Sequence, residues 1–321
     1  MIGFLAKRVG FAALVLFLLS AFIFFLFFVA PGDPARLVAG ERASDAQVQQ
    51  VRENLGLGKP VLAQYGDFVM RSLSGDLGFS YRNQQPVLTL IQQRMPATIS
   101  LCAGAVVMWL LLGVPIGIMS ARKPGSLRDR LGQVFILVGV SFPSFVLGMA
   151  ALYCLYFLPR KAGFTLFPAG SYKPIGDGVL DWAWHLFLPW LSLALTSAAI
   201  YARLTRGQML EVLGEDYIRT ARAKGLKERV VVFKHGLRAV LTPLTTQLGA
   251  DVAVLLGGAI VTEQVFGLQG IGSLAVQAVN SQDRPVIIGI VLLAGFFIVV
   301  ANIVVDLLYV ALDPRVRTGA A

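Results

Sequence analysis

Few side chains in this sequence could do chemistry, and the sharpest of them lies in apolar surroundings. Asp251 stands mid-way along the apolar run 240–262, with Gln247 one helical turn before it on about the same face. Asn302 and Asp306 repeat that spacing toward the end of the run 286–311. A carboxylate at the centre of a membrane helix costs about 2.5–3.5 kcal/mol on insertion scales, so Asp251 must face a bundle interior or a wet cavity. Two roles are open to it: lining a wet path through the membrane, where it would meet a cationic group, or closing an internal pair. For Gln247, Asn302 and Asp306 the alternative to a transport role is an interhelical hydrogen bond. An intramembrane enzyme built on Asp251 and Asp306 is disfavoured, because they sit on different runs at different depths.

Other reactive patterns are missing. The two cysteines, Cys102 and Cys154, lie inside apolar runs and form no C-x-x-C pair. The two histidines, His185 and His235, are far apart in sequence, which disfavours zinc. There is no G-x-x-x-x-G-K-[ST] phosphate loop, no H-E-x-x-H and no G-x-S-x-G elbow, so the chain is not expected to bind ATP or any other cofactor itself. Gly267-Leu268-Gln269-Gly270-Ile271-Gly272 has the wrong spacing for a dinucleotide loop and reads as a tight turn.

The elements that position these residues are set by lipid. Of 321 residues, 56% are hydrophobic and 14% charged, against about 45–50% and 25% in soluble chains. The mean hydropathy is +0.71. Six runs approach the roughly 20 apolar residues that cross a bilayer: 9–30, 98–120, 133–158, 185–204, 240–262 and 286–311. The expected fold class is therefore all-α, a polytopic membrane protein with six transmembrane helices. The first run is longer than a signal-peptide core of about 7–15 residues and reads as an uncleaved anchor. Pro115, Pro143, Pro189 and Pro243 fall in or near the runs, as multi-helix bundles tolerate. Trp182, Trp184 and Trp190 cluster where the fourth run begins and suggest an interfacial belt.

The net charge of +10, from 28 Lys+Arg against 18 Asp+Glu, fits loop anchoring better than nucleic-acid binding. With the N-terminus inside, cytoplasmic segments hold 17 basic residues and outer segments 11. The expected topology is N-in and C-in. It places 31–97 outside as a long loop and 205–239 in the cytoplasm.

The stretch 211–243 is the informative part of the cytoplasmic side. Gly214 interrupts the incoming helix, and Glu215 and Asp216 then open a short one where negative charge suits the dipole. Arg219, Arg222 and Lys224 come toward its end, and Gly225 is placed as its C′ residue. Tyr217, Ile218 and Ala221 give it a small apolar face, and the small Ala221 and bare Gly225 would let another protein approach. Read by itself, the stretch is equally a solvated basic loop that fixes topology.

This loop resembles the conserved cytoplasmic E-A-A-x-x-x-G loop of permease subunits in ATP-binding-cassette importers, with Ala221 and Gly225 on its consensus letters. Arg238 stands where the general pattern has a downstream proline, and Pro243 comes later. The match is close to the peptide and nickel branch, which reads E-D-Y-x-R-T-A-R-A-K-G, as residues 215–225 do. Further blocks resemble that branch in the same order: 31–34 (PGDP), 75–80 (GDLGFS), Pro86-Val87, 94–98 (RMPAT), 141–145 (SFPSF), 304–309 (VVDLLY) and 312–315 (LDPR). The last two are close to the first permease subunit of dipeptide and oligopeptide importers.

The resemblance implies a type I importer permease fold as one domain over 1–321, with a core over about 95–312. It implies that the chain forms half of a peptide path and performs no hydrolysis itself. The expected partners are a second homologous permease, two cytoplasmic ATPase subunits that hold ATP-Mg, and an extracytoplasmic peptide-binding protein, in a bacterial inner membrane. Glu215, Asp216, Tyr217, Arg219, Ala221, Lys224, Gly225 and Leu226 would form the ATPase-coupling surface. Gln247 and Asp251 are the candidates for the path. A nickel or glutathione importer of the same architecture is the alternative within the branch. A stand-alone ion-driven transporter, which would favour paired broken helices at midplane, is the alternative outside it.

Overall fold

In the computed structural model the described residues are 2–29, 35–36, 44–54, 58–256 and 259–312, without side-chain detail at 2–6, 28–29, 51, 256, 305–306 and 308–312. The motifs at 31–34 and 313–315 and the side chain of Asp306 lie outside them. The described residues are helical apart from turns and one isolated bridge, Phe79 to Pro86.

Helix α1 (Ile2–Phe24) runs into a π-helical turn, Phe25–Val29. Two helices follow within the long loop, α2 (Asp45–Asn54) and α3 (Val61–Leu73). Next come α4 (Val87–Arg122), α5 (Leu127–Ser141) and α6 (Ser144–Leu152). Helix α7 (Val179–Gly214) leads to the short α8 (Asp216–Ala223). Further along come α9 (Leu237–Leu256), α10 (Ile260–Val265), α11 (Ile271–Asn280) and α12 (Arg284–Leu312), and short helical turns join several of these elements.

Among the described residues α1, α4, α7 and α12 are each long and apolar enough to cross a membrane. The expected third span is not one straight helix: α5 and the helical stretch Ser144–Lys161, which α6 begins, meet at a bend of 101°, and together they can make a fifth crossing. Pro143 is the cause. It forces Phe142 into extended backbone (φ −111, ψ 135) and cannot continue the helix ladder. The run 240–262 likewise divides into α9 and α10, with 257–258 outside the described residues. Helix α9 carries a polar set, Thr242, Thr245, Thr246, Gln247 and Asp251, within an expected span.

The chain forms two compact units. One holds residues 1–95 and 274–299, the other 96–273 and 300–321. In the first, Gly295 of α12 lets Leu19 of α1 pack against its backbone, and Gly289 does the same for Val87. In the second, α7 is the central strut and packs against α5, α6 and α9. Helix α4 also closes on it through Gly113 and Gly117. A Cβ on either would stand 2.6 Å from Ala198 O or Thr205 Cβ, so this is a small-residue membrane-helix contact. Trp109, Leu186, Leu188, Tyr201 and Met209 fill the core around it.

The tryptophans divide. Trp184 is exposed, whereas Trp190 is buried, stacks edge-on to Trp182 at 5.0 Å and donates Nε1–H to Ser100 O at 3.0 Å. Trp190 is thus core, not part of an interfacial belt, because its indole N–H has a backbone partner inside the protein.

Candidate coupling surface and buried acidic sites

Helix α7 ends at Gly214. Glu215 takes extended backbone (φ −68, ψ 150), and α8 starts at Asp216, where an acidic residue suits the helix dipole. Arg219 pairs with Asp216 at 3.1 Å across one turn, with both side chains well exposed. The far end closes as a Schellman motif: Leu226 N–H donates to Ala221 O at 3.4 Å and Gly225 N–H to Arg222 O at 2.9 Å. Gly225 has φ +74, and a Cβ there would meet nothing within 4 Å. Backbone handedness therefore requires glycine, while the space above it is open.

The two faces of α8 separate cleanly. Ile218 and Ala221 are buried against Val231, with Val212 and Leu213 of α7 packed alongside. Ala221 is therefore not on the approachable face expected from sequence. Its small side chain lets α8 sit close on its own chain. Tyr217 and Leu226 are exposed, as are Arg219 and Lys224.

Arg222 fastens the end of α8. It donates Nε–H to Glu228 Oε2 at 3.2 Å and Nη2–H to Oε1 at 3.0 Å, a two-bond fork. The hydrogen bond from Arg222 holds the Glu228 carboxyl below the usual carboxylate range, and the Arg222 value is raised in return. Further in, Asp129 is buried at the start of α5. It accepts from Arg206 Nε at 2.8 Å and Nη2 at 3.1 Å, and from Gly125 N at 2.9 Å. This pair ties the α4–α5 turn to α7, the helix that carries α8.

Asp251 is half-buried on α9. Its Oδ1 accepts from Gln247 Nε2 at 2.9 Å and its Oδ2 from the Tyr201 hydroxyl of α7 at 2.9 Å. The two path candidates are thus bonded to each other. Tyr201, fully buried beside Trp109, completes the cluster and was not singled out from sequence. Asn302 is exposed on α12.

A second acidic site was missed entirely. Glu263 on α10 is fully buried. Oε1 accepts from the Thr98 hydroxyl at 2.7 Å, and Oε2 accepts from Ser273 N at 2.7 Å, inside the first turn of α11. Thr98 Oγ1 in turn accepts from Ile271 N at 2.8 Å. Gly270 explains the glycine-rich turn, since a Cβ there would lie 2.2 Å from Glu263 Oε1. The turn is a cradle for a carboxylate that caps a helix N-terminus. An acidic residue just before a glycine-rich turn was the available signal.

In the other unit Asp283 is buried. Its Oδ2 accepts from Ser80 Oγ at 2.5 Å, and its carboxylate accepts from the backbone N–H of Tyr81 and Arg82 at 3.3 Å each. Burial, then Asp283, pushes the Tyr81 phenol up to about 12. Ser80 belongs to the 75–80 block and Asp283 precedes α12, so this contact fixes the turn that leads into α4.

Two family models divide the chain between them. Residues 113–318 match "Binding-protein-dependent transport system inner membrane component", and residues 1–102 match the N-terminal model of the same systems' membrane components. The chain belongs to this family of importer permeases. The permease is 37% identical over 98% of its length, and 99% of the relative's, to a Sinorhizobium fredii protein named a probable peptide ABC transporter permease. It is 38% identical to the glutathione transport system permease protein GsiC of Pectobacterium atrosepticum, with 99% of each chain covered. The probable D,D-dipeptide transport system permease protein DdpB of Escherichia coli is 39% identical, with 92% of each covered. Among solved structures, the MetNI methionine ABC transporter in inward-facing conformations matches the permease at TM-score 0.54. The identity is 17%, covering 70% of this chain and 96% of that one, and the likeness shows the shared fold. Membership makes the permease a membrane-embedded subunit that works with ATPase subunits, a second permease and a substrate-binding protein. It removes the stand-alone ion-driven reading.

Proposed function

We propose that this permease forms half of a peptide path through a bacterial inner membrane and takes its drive from ATPase subunits gripping α8. The observation that carries the reading is the construction of α8. Its inner face is sealed on its own chain by Ile218 and Ala221, its end is held by Gly225 and Arg222, and its outer face offers Tyr217, Arg219, Lys224 and Leu226. Such a helix can transmit a push into α7 without unfolding. ATP-Mg would bind to two partner ATPases, and this chain would perform passage and coupling with no hydrolysis or cofactor of its own. The peptide substrate is supported by the names of the relatives. The excess of basic residues on inner segments supports an N-in, C-in topology, with 31–97 facing the binding protein and 205–239 facing the ATPases. The whole chain would act as one permease domain.

Glutathione is the second reading, favoured by the GsiC relative. It is itself a tripeptide and would use the same path.

The test is uptake into proteoliposomes that hold the co-purified complex, with ATP inside and the binding protein outside. Uptake of labelled peptides should require both, and Tyr217→Ala with Leu226→Ala should lower uptake per ATP hydrolysed. Undiminished uptake in the absence of ATPase subunits would refute the reading.

A further inference from the structure

The segment between α1 and α4 was expected to be an extracytoplasmic loop, yet α3 has the surface of a membrane-bound helix. Its Tyr65 hydroxyl lies 2.8 Å from Ser20 Oγ and donates to Phe17 O at 3.3 Å. Phe17 is midway along the crossing segment Lys7–Phe27, about 15 Å from either end at 1.5 Å per residue. Phe24 packs on both Tyr65 and Phe68, at 5.4 and 5.8 Å between ring centres. Helix α3 therefore lies against the C-terminal half of α1, and its Tyr65 side chain reaches down into the lipid core.

The exposed surface of α3 agrees. At 100° per residue, Leu62, Leu73 and Met70 share an arc beside the Tyr65–Phe68 contact face, and they are 85%, 79% and 69% exposed. Gln64, Asp67 and Arg71 form the opposite stripe, and Asp67 is paired with Lys59 at 2.5 Å. Thirteen residues make about 20 Å of helix, too short to cross a core of about 30 Å. An amphipathic helix of this kind lies in the membrane interface with its apolar face among acyl chains.

We propose that α3 is an interfacial membrane helix, with Leu62, Met70 and Leu73 in contact with lipid in the leaflet that surrounds the C-terminal half of α1. Lipid is the occupant because the face continues the exposed apolar surface of α1, where Phe17, Phe22 and Phe25 point outward. The inference needs only that α1 crosses the membrane, and it is independent of what is transported. Helix α3 would clamp α1 at a fixed depth and anchor the loop to the bilayer surface.

The test is spin labelling of the assembled transporter in phospholipid nanodiscs, in a Cys154→Ser background, since Cys154 is exposed and Cys102 buried. Labels go in turn on Leu62→Cys, Met70→Cys and Leu73→Cys, with Gln64→Cys as the polar-face control. Collisions with oxygen should exceed those with a water-soluble nickel chelate at the three apolar positions, and the order should reverse at Gln64→Cys. Greater access for the nickel chelate at all three would overturn the proposal. So would exclusion of both reagents, which would mean that the second permease or the binding protein covers this face. The three positions report one face, so loss of a single variant at assembly leaves the test intact.

Discussion

Asp251 and Glu263 are carboxylates in the same unit, and they are held in opposite ways. Glu263 is fully buried, takes a backbone N–H from the first turn of α11, and is walled in by Gly270. Asp251 is half-buried and bonded by two neutral side chains, Tyr201 and Gln247, each on a rotatable bond. A charge bound by backbone can move only if a helix end moves. A charge held by side chains can exchange a partner for a ligand. The difference fits a structural role for Glu263, and under the proposed peptide path Asp251 would be the residue to meet a passing cation.

The largest effect should come from breaking the locked site. Glu263→Ala strands the Thr98 hydroxyl and the Ser273 N–H, and each unsatisfied buried group costs about 1–3 kcal/mol. Gly270→Ala drives a methyl into the same carboxylate, an overpacking cost of about 1–3 kcal/mol. Both should cut the yield of assembled complex, read by size-exclusion chromatography. Normal assembly by both would place Asp251 and Glu263 in the same class.

The next effect sharpens the contrast. Tyr201→Phe removes one hydrogen bond to Asp251, worth about 1.5–3 kcal/mol for a charged acceptor, while the ring keeps its packing. Assembly should survive and uptake should change. A loss of assembly as severe as that of Glu263→Ala would make Asp251 structural too.

On the cytoplasmic side, Gly225→Ala places a side chain in left-handed backbone at a cost of about 1–2 kcal/mol, with no steric clash. A complex that still hydrolyses ATP but imports less per ATP is expected. Gly225→Trp suffers the same backbone cost and also obstructs the open space above it, so its coupling should be worse than that of Gly225→Ala. Equal coupling in the two variants would count against a partner docking there.

The smallest effect concerns pH. The Glu228 carboxyl sits below its usual value of 4.5 because Arg222 bonds it. Its contribution is therefore complete above pH 4.5 and is lost as pH falls through the lower folded value. The pair is largely exposed, so the effect should be slight and weakened by salt. Glu228→Gln should abolish that acid dependence in proteolysis of the 215–230 segment.

Much of the fold was legible because lipid imposes a simple demand. A run of about 20 apolar residues can be counted, and α1, α4, α7 and α12 fall where the runs do. The kink at Pro143 was legible as a breaker, but the 101° bend depends on how α5 and α6 each pack on α7. In α8, the ends could be read from Asp216 and Gly225, because capping is local. The direction of Ala221 could not, since it depends on Val231 folding back. The Gln247–Asp251 bond follows from helical spacing, whereas Tyr201 arrives from another helix with no local trace. Glu263 was hidden because its partners, Thr98 and Ser273, come from two other helices. Helix α3 was missed inside the long loop because thirteen residues fall short of a span.

The most direct measurement is uptake by the reconstituted Asp251→Asn transporter of peptides that differ in amino-terminal and side-chain charge. Asparagine keeps the shape and the hydrogen bond from Tyr201 but removes the charge. The complex should assemble normally, with uptake of peptides bearing a free amino terminus reduced more than that of amino-acetylated ones. Normal assembly with unchanged uptake at every substrate charge would show that Asp251 is an internal pair like Glu263.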